Sequence, residues 1–96
     1  MSEKVWLFAV GGFLTLASRR KVREIGEVVS RTVGFLGYTD EERGTLLVYN
    51  SLDNAVAAWH KLAEHLTVGS NIMEGEFSQN RHELTVGAVA QRMRIS

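Results

Sequence analysis

The sequence has neither cysteine nor proline among its 96 residues. Without cysteine the chain has no disulfide, no thiolate nucleophile and no cysteine ligand for a metal, and it suits a reducing compartment. Without proline, turns must rest on the nine glycines and on Asn, Asp and Ser. These absences favour a cytoplasmic protein and make the positions of the glycines informative.

An excess of charge and a long apolar run are absent as well. Eleven basic residues balance eleven acidic ones, so no overall field attracts nucleic acid or a membrane. No apolar run approaches the roughly 20 residues that cross a bilayer, and residues 1–10 are too weakly basic for a signal peptide. With 45% hydrophobic residues, the composition predicts one soluble domain, residues 1–96, that makes no contact with a membrane.

Hydrophobic patterning in the first third of the chain predicts a strand and then a helix. The apolar run at residues 5–10 ends at Gly11 and Gly12, which is typical of a strand in the middle of a sheet with both faces covered. A helix is then predicted to begin near Ser18, because apolar residues recur at spacings of three and four. These residues are Val22, Ile25, Val29, Val33 and Leu36.

The end of this first helix has two interpretations. Residues 33–38 are rich in β-formers and glycine, residues 39–44 are polar, and residues 45–49 are strand-like, which predicts a hairpin and a helix that stops at residues 30–32. In the alternative, the helix continues to Leu36 and the chain reads β-α-β-α-β-β.

The second helix has the clearest periodicity. Ser or Asp in the segment 50–54 can accept a hydrogen bond from the first turn of a helix. Apolar residues then follow at spacings of three and four from Leu52 to Leu66, and Gly69 offers a stop.

Two further strands, residues 71–78 and 83–91, are predicted to form a hairpin, followed by a frayed tail at residues 93–96. The resulting order is β-α-β-β-α-β with an extra C-terminal strand. Right-handed crossovers place the strands at Val5 and Thr45 centrally and both helices on one face of an antiparallel sheet. The sequence thus predicts an α+β protein with a ferredoxin-like arrangement, which by itself selects no function.

Trp6, Phe8 and Tyr49 form the candidate partner-binding surface. Trp6 and Phe8 share one face of their strand, and if that face points away from the helices, they form with Tyr49 an aromatic patch too apolar to leave wet. A second copy or a partner protein could cover the patch, as could a segment of the chain itself such as Phe13 or Ile95. Single-stranded RNA could instead stack its bases there.

A cluster of four cations is the candidate site for an anion or an acidic partner. Its members are Arg19, Arg20, Lys21 and Arg23. The plainer interpretation is a solvated helix face, since Glu24 and Glu27 lie four residues after Arg20 and Arg23, at the spacing where opposite charges meet. Arg19 and Lys21 then carry the surplus charge.

The remaining motifs predict no metal, cofactor or catalytic residue. His60 and His65 are five residues apart and do not share a helix face as a pair of ligands would, and His82 lies in a predicted turn. Gly11 and Gly12 lack the spacing of a phosphate-binding loop.

The sequence favours a small, non-enzymatic binding or regulatory module that acts through protein contacts. It would associate with its own copy, or inhibit or join a larger complex, as small proteins of phages and mobile elements do. One alternative is a single-stranded RNA binder that uses the aromatic patch and the basic helix start. The other is a small oligomeric enzyme with its site in a cavity of the sheet.

Overall fold

A computed structural model describes residues 2–11, 19–41 and 44–94, with residues 19–22 and 41 described by their backbone alone. Within these residues the chain forms six strands and two helices. In chain order they are β1 (Ser2–Gly11), α1 (Arg19–Ser30), β2 (Phe35–Glu41), β3 (Gly44–Tyr49), α2 (Leu52–Leu62), β4 (Thr67–Val68), β5 (Asn71–Ser78) and β6 (Glu83–Arg92).

The strands form one antiparallel sheet in the order β2-β3-β1-β5-β6, with the short β4 also paired to β1. On one side β1 pairs with β3, where Phe8 lies opposite Leu47. On its other side it pairs with β5 and then, at Val10, with β4. The predicted α+β class is confirmed. The element order differs from the prediction by the two-residue strand β4, which is too short to show in a hydrophobic pattern.

Both helices pack on one face of this sheet, here called the helix-covered face. The core between the layers takes Phe8 and Val10 from β1, Leu47 and Tyr49 from β3, Ile72 from β5, Ile25 and Val29 from α1, and Ala55, Ala58, Trp59 and Leu62 from α2. Side chains alternate along a strand, so the residues between those of the core point to the opposite, open face.

The turn after α1 decides between the two interpretations of this region. α1 ends at Ser30, and Thr32 donates a backbone hydrogen bond to Val29 at 3.1 Å before the chain turns. Gly34 has a φ of 79°, a conformation that glycine tolerates far better than other residues. Its carbonyl accepts a hydrogen bond from the Asn50 amide at 2.9 Å. The hairpin interpretation is therefore confirmed, and the continuous helix through Leu36 is wrong.

α2 begins as predicted and ends earlier than expected. The Ser51 hydroxyl accepts a hydrogen bond from the Asn54 amide at 3.1 Å and so caps the first turn. The helix stops at Leu62 rather than at Gly69. Gly69 instead links the helix to the sheet, because its carbonyl accepts a 2.7 Å hydrogen bond from Trp59 Nε1 and its amide donates to Ala9.

Residue Met93 corrects the predicted frayed tail. Its side chain is buried in the core, and its amide donates a 2.6 Å hydrogen bond to the Ser70 carbonyl. Residues 95–96 lie outside the described residues. In the part of the chain that the structure describes, neither helix is long and apolar enough to cross a membrane.

Candidate functional site

The open face of the sheet is apolar and is the first element of the candidate site. Residues directly opposite each other in antiparallel strands point to the same face. The open face therefore carries Glu3, Val5, Leu7 and Ala9 of β1 together with their partners Leu46 and Val48 of β3 and Met73, Gly75 and Phe77 of β5. Leu7 and Val5 are only 0% and 1% exposed, although both helices lie on the other side.

A groove of about 570 Å³ runs over this face, here called the open-face groove. Its lining comprises Glu3 and Val5 of β1, Leu36 to Thr39 of β2, Val48 of β3, Phe77 of β5, Leu84 and Val86 of β6, and Gln79 and His82 of the β5–β6 turn. β2 and β6 are the two edges of the sheet, and in a flat sheet they would lie about 19 Å apart at the usual strand spacing. Because both edges line one groove, the sheet curls into a trough on this side.

Exposed apolar side chains form the two rims of the groove. Leu36 is 53% exposed on the β2 rim, and Val86 is 44% exposed on the β6 rim. Tyr38 is exposed as well, but it lies opposite Leu47 and therefore points to the helix-covered face. The register of β2 against β3 shifts between Phe35 and Gly37. This irregularity turns Leu36 into the groove, whereas its neighbour Phe35 packs against the core.

The polar lining residues are Glu3, Thr39, Gln79 and His82. Three of them, Glu3, Gln79 and His82, are exposed to solvent, whereas Val5 in the floor is buried and apolar. The groove therefore suits apolar groups, with polar contacts available at its margin.

The structure corrects the expected position of the aromatic patch. Phe8 and Tyr49 are both 0% exposed and lie on the helix-covered face. Their rings stack with centroids 5.6 Å apart and planes 3° apart, and the Phe35 ring tilts against Tyr49 at the same separation. They are core residues, because the strand set that includes Phe8 is the one the helices cover. Neither ring can contact a partner from the open face.

Tyr49 also ties α1 to the sheet. Its hydroxyl lies 2.7 Å from Thr32 Oγ1, which itself donates to the Val29 carbonyl at 2.6 Å. Since the Thr32 proton is used in that second bond, the Tyr49 hydroxyl is the donor to Thr32. Burial raises the pKa of Tyr49 above its ordinary value, and the hydrogen bond with Thr32 offsets part of this rise.

Trp6 lies on the helix-covered face beside the core and is half-buried. Its Nε1 is buried without a hydrogen-bond partner among the described residues. Lys4 Nζ lies 5.7 Å from the centroid of the Trp6 ring and 3.3 Å from Glu74 Oε1. The Trp6 ring is therefore flanked by a charged pair on its own face and does not reach the open-face groove.

The basic cluster lies at the start of α1. The backbone of Arg19, Arg20 and Lys21 forms the first turn of α1, but their side chains lie outside the described residues. The Arg23 side chain is exposed. Gly11 ends β1. Gly12 and the rest of residues 12–18 lie outside the described residues. Phe13 and Ile95, which were expected to cover the aromatic patch, lie outside them as well.

In the described part of the chain, no three His, Asp or Glu side chains come together in a group that could hold a metal. His82 lies on the groove margin, and His60 packs edge-on against the Trp59 ring with centroids 5.3 Å apart.

Sequence reasoning did not find the groove residues. The signal for them was the run at residues 5–10, which is apolar at every position and so indicates a strand covered on both faces.

Comparisons of the chain with protein-family models, with curated proteins and with solved structures find no match.

Proposed function

We propose that this chain is a non-enzymatic binding module that holds apolar side chains of a partner protein in the open-face groove. The observation that carries the proposal is the trough itself, with the buried side chain of Val5 in its floor and exposed apolar rims at Leu36 and Val86. Exposed apolar rims beside a concavity are typical of a surface that another protein covers.

The chemistry of the groove favours binding over catalysis. A catalytic site needs a nucleophile or a general acid or base held against the reacting atoms. Here Glu3 and His82 are solvent-exposed at the margin, and the interior offers aliphatic side chains and Phe77. An apolar group that leaves water for such a surface gains about 25 cal/mol per Å². The groove therefore supports affinity rather than reaction.

A protein partner fits better than RNA. The RNA interpretation needs Trp6, Phe8 and Tyr49 as a stacking platform, and two of these rings are fully buried beneath the helices. The groove instead presents Phe77 with the aliphatic side chains of Leu36 and Val86, and an apolar centre with few charged groups is typical of protein interfaces. We place this module in the cytoplasm, as an accessory or inhibitory subunit of a larger assembly.

We also propose that the sheet has a ferredoxin-like arrangement. β4 and β5 both pair with β1 on the same side and follow each other in the chain. Counted as one interrupted strand, they give the strand order of a ferredoxin-like sheet, with β6 added at its edge. The added strand supplies one wall of the groove through Leu84 and Val86.

The experiment compares Leu36→Asp and Val86→Asp with a matched control, Val33→Asp. Val33 is 75% exposed and does not line the groove. The first readout is binding of the neutral apolar dye Nile red by the folded protein. We expect both groove variants to weaken dye binding about tenfold, the equivalent of roughly 1.4 kcal/mol, and the control to match the unchanged chain.

The second readout is the protein partner. A partner recovered by crosslinking through residue 36 is identified, purified and titrated against the same three variants. Loss of binding in both groove variants, with the control unaffected, supports the proposal. Equal binding of the partner by all three variants overturns the proposal. Nile red binding that neither groove substitution weakens also overturns it.

A further inference from the structure

A second concavity lies on the helix-covered face of the sheet, between α1 and the edge strand β2. Its volume is about 330 Å³. One wall is the flank of α1 that carries Gly26 and Ser30, and the other is β2 at Tyr38 and Asp40. Core side chains of β1 and β3 form the floor. This concavity, here called the α1–β2 cleft, lies on the opposite side of the sheet from the open-face groove.

The cleft exists because the helices do not reach the edge of the sheet. Tyr38 lies opposite Leu47 in the register of β2 and β3, so both point to the helix-covered face. Asp40 lies opposite Thr45 and points the same way. The two β3 residues are buried, whereas Tyr38 is 66% exposed. The helices therefore cover β3 but leave the same face of β2 open at these positions.

Gly26 keeps the α1 wall of the cleft open. Glycine in the middle of a helix is unfavourable relative to alanine, because its backbone loses more freedom on folding. A Cβ on Gly26 would meet nothing within 4 Å, so close packing does not require the glycine. The residue lies inside α1, so an unusual backbone conformation does not require it either. The missing side chain leaves free volume at the wall of the cleft, which points to an occupant.

Asp40 places one negative charge at the rim of the cleft. The Thr45 hydroxyl is buried and donates a 3.0 Å hydrogen bond to Asp40 Oδ1, which orients the carboxylate. Among the described residues no cation pairs with Asp40, and the other side chains of the lining are neutral. The Phe35 and Tyr38 rings lie on the same wall, and aromatic faces attract both rings and cations. The lining is therefore complementary to an apolar group that carries one positive charge.

We propose that the α1–β2 cleft binds a small organic cation, an amine with a single aromatic ring. The ring lies between α1 and β2, and the ammonium group pairs with the Asp40 carboxylate. A primary amine of this kind is charged at neutral pH, as lysine is. A single ring suits the cleft, whose volume is near the lower end of the range for ligand pockets, roughly 300 Å³. The inference goes beyond the proposed function, because it concerns a small molecule on the opposite face of the sheet.

The experiment titrates three probes of similar shape and different charge into the protein and follows the amide NMR spectrum. The probes are phenethylamine, the neutral phenethyl alcohol and the anionic phenylpropionate. We expect the amine to bind about fivefold more tightly than the alcohol, because only the amine pairs with Asp40. The carboxylate should bind most weakly. The largest shifts should occur at the amides of Gly26, Asp40 and Thr45.

Two variants test the charge. Asp40→Asn keeps an oxygen that accepts the hydrogen bond from Thr45 and removes the negative charge. We expect it to lower the affinity for the amine to that for the alcohol and to leave the alcohol unaffected. Asp53→Asn makes the same change of charge in the first turn of α2, outside the cleft, and is the matched control. It should preserve the fivefold preference for the amine.

A third variant tests the shape of the cleft. Gly26→Leu fills the open wall with a side chain that favours a helix, so the protein should fold and lose the binding of all three probes. Circular dichroism checks that the variant is folded. Leu36→Asp separates this inference from the proposed function, since it should lose Nile red from the open-face groove and still bind the amine.

Four results overturn the inference. The first is equal affinity for the amine and the carboxylate. The second is an affinity for the amine that neither Asp40→Asn nor Gly26→Leu lowers. The third is the absence of amide shifts at about 10 mM phenethylamine. The fourth is a shift of the Gly26 and Asp40 amides with protein concentration alone, which would show that a second copy of the chain fills the cleft.

Discussion

The Leu7 side chain lies across the backbone of Gly75, where the absence of a side chain leaves room for it. A Cβ on Gly75 would come within 3.0 Å of Leu7 Cδ2 and within 2.6 Å of the Thr85 carbonyl oxygen. Glycine thus lets β1, β5 and β6 close up beneath the open-face groove, and Leu7 becomes fully buried on a face that no described helix covers.

We expect Gly75→Ala to destabilise the protein by about 1–3 kcal/mol, because either Leu7 or the β5–β6 pairing must shift to admit the methyl group. The measurement is urea unfolding followed by circular dichroism. Gly26→Ala is the matched control. Gly26 lies within α1 and has open space at its Cβ position, so the change should stabilise the helix by about 0.5–1 kcal/mol. Equal stability of the two variants would contradict the packing at Gly75.

Tyr49→Phe tests the hydrogen bond between the sheet and α1. Removing the hydroxyl leaves Thr32 Oγ1 without its donor, and we expect a loss of about 1 kcal/mol at neutral pH. The size of this loss is measured by urea unfolding of both proteins at pH 7.

The pH dependence of the stability of the same variant tests whether Tyr49 is buried. Its pKa in the folded protein is raised above the ordinary 10.0, so in alkali the unfolded chain ionises first. The stability that depends on neutral Tyr49 is complete below about pH 10, the ordinary pKa, and is lost as the pH rises through the raised pKa of the folded state. The advantage of the unchanged chain over Tyr49→Phe should therefore shrink above this pH. Tyr38→Phe is the control, because it changes an exposed tyrosine and keeps Tyr49. Its stability should decline above this pH as that of the unchanged chain does.

The two tryptophans make a paired test of hydrogen bonding. Trp59 Nε1 donates to the Gly69 carbonyl, whereas Trp6 Nε1 is buried with no partner among the described residues. We expect Trp59→Phe to cost about 1–3 kcal/mol more than Trp6→Phe, because only the first leaves a part-buried acceptor, the Gly69 carbonyl, without its donor. Hydrogen exchange at the Gly69 amide should accelerate in the first variant alone. The reverse order of stabilities would refute this assignment.

Met93→Ala tests whether the segment after β6 belongs to the core. The side chain is 6% exposed and belongs to the core cluster between the helices and the sheet. We expect a loss of about 2–5 kcal/mol, as for other buried methionines. The neighbouring exposed residue provides the control, since Arg94→Ala should change stability by less than about 0.5 kcal/mol. Identical unfolding midpoints for Met93→Ala and Arg94→Ala would instead support a frayed tail.

The helices, hairpins and fold class could be predicted from the sequence because local periodicity determines them. The stripe that includes Ile25 and Val29 and the cap at Ser51 both function in the structure as the pattern predicted. The choice of sheet face could not be predicted in this way. β1 is apolar at every position from Val5 to Val10, so a period of two distinguishes its faces without saying which face the helices cover.

The groove depends on register shifts that leave no pattern in the sequence. Simple alternation in β6 predicts Leu84, Val86, Ala88 and Ala90 on one face. A shift in the β5–β6 register instead brings Val89 to the face of Val86. At the opposite edge, the shift between Phe35 and Gly37 turns Leu36 to the open face. A bulge arises from the balance of pairing across several strands, which a single segment does not encode.

The central position of β1 has a consequence for how the chain folds. Trp6 pairs with Tyr49 and Ser2 with Ser78, so the strand that joins the two halves of the sheet obtains its partners from distant parts of the chain. Closing such long loops is slow compared with forming a helix or a local hairpin. The two hairpins should therefore assemble early and β1 should join them late. Refolding should be limited by that docking step, during which the most apolar segment of the protein is exposed to aggregation.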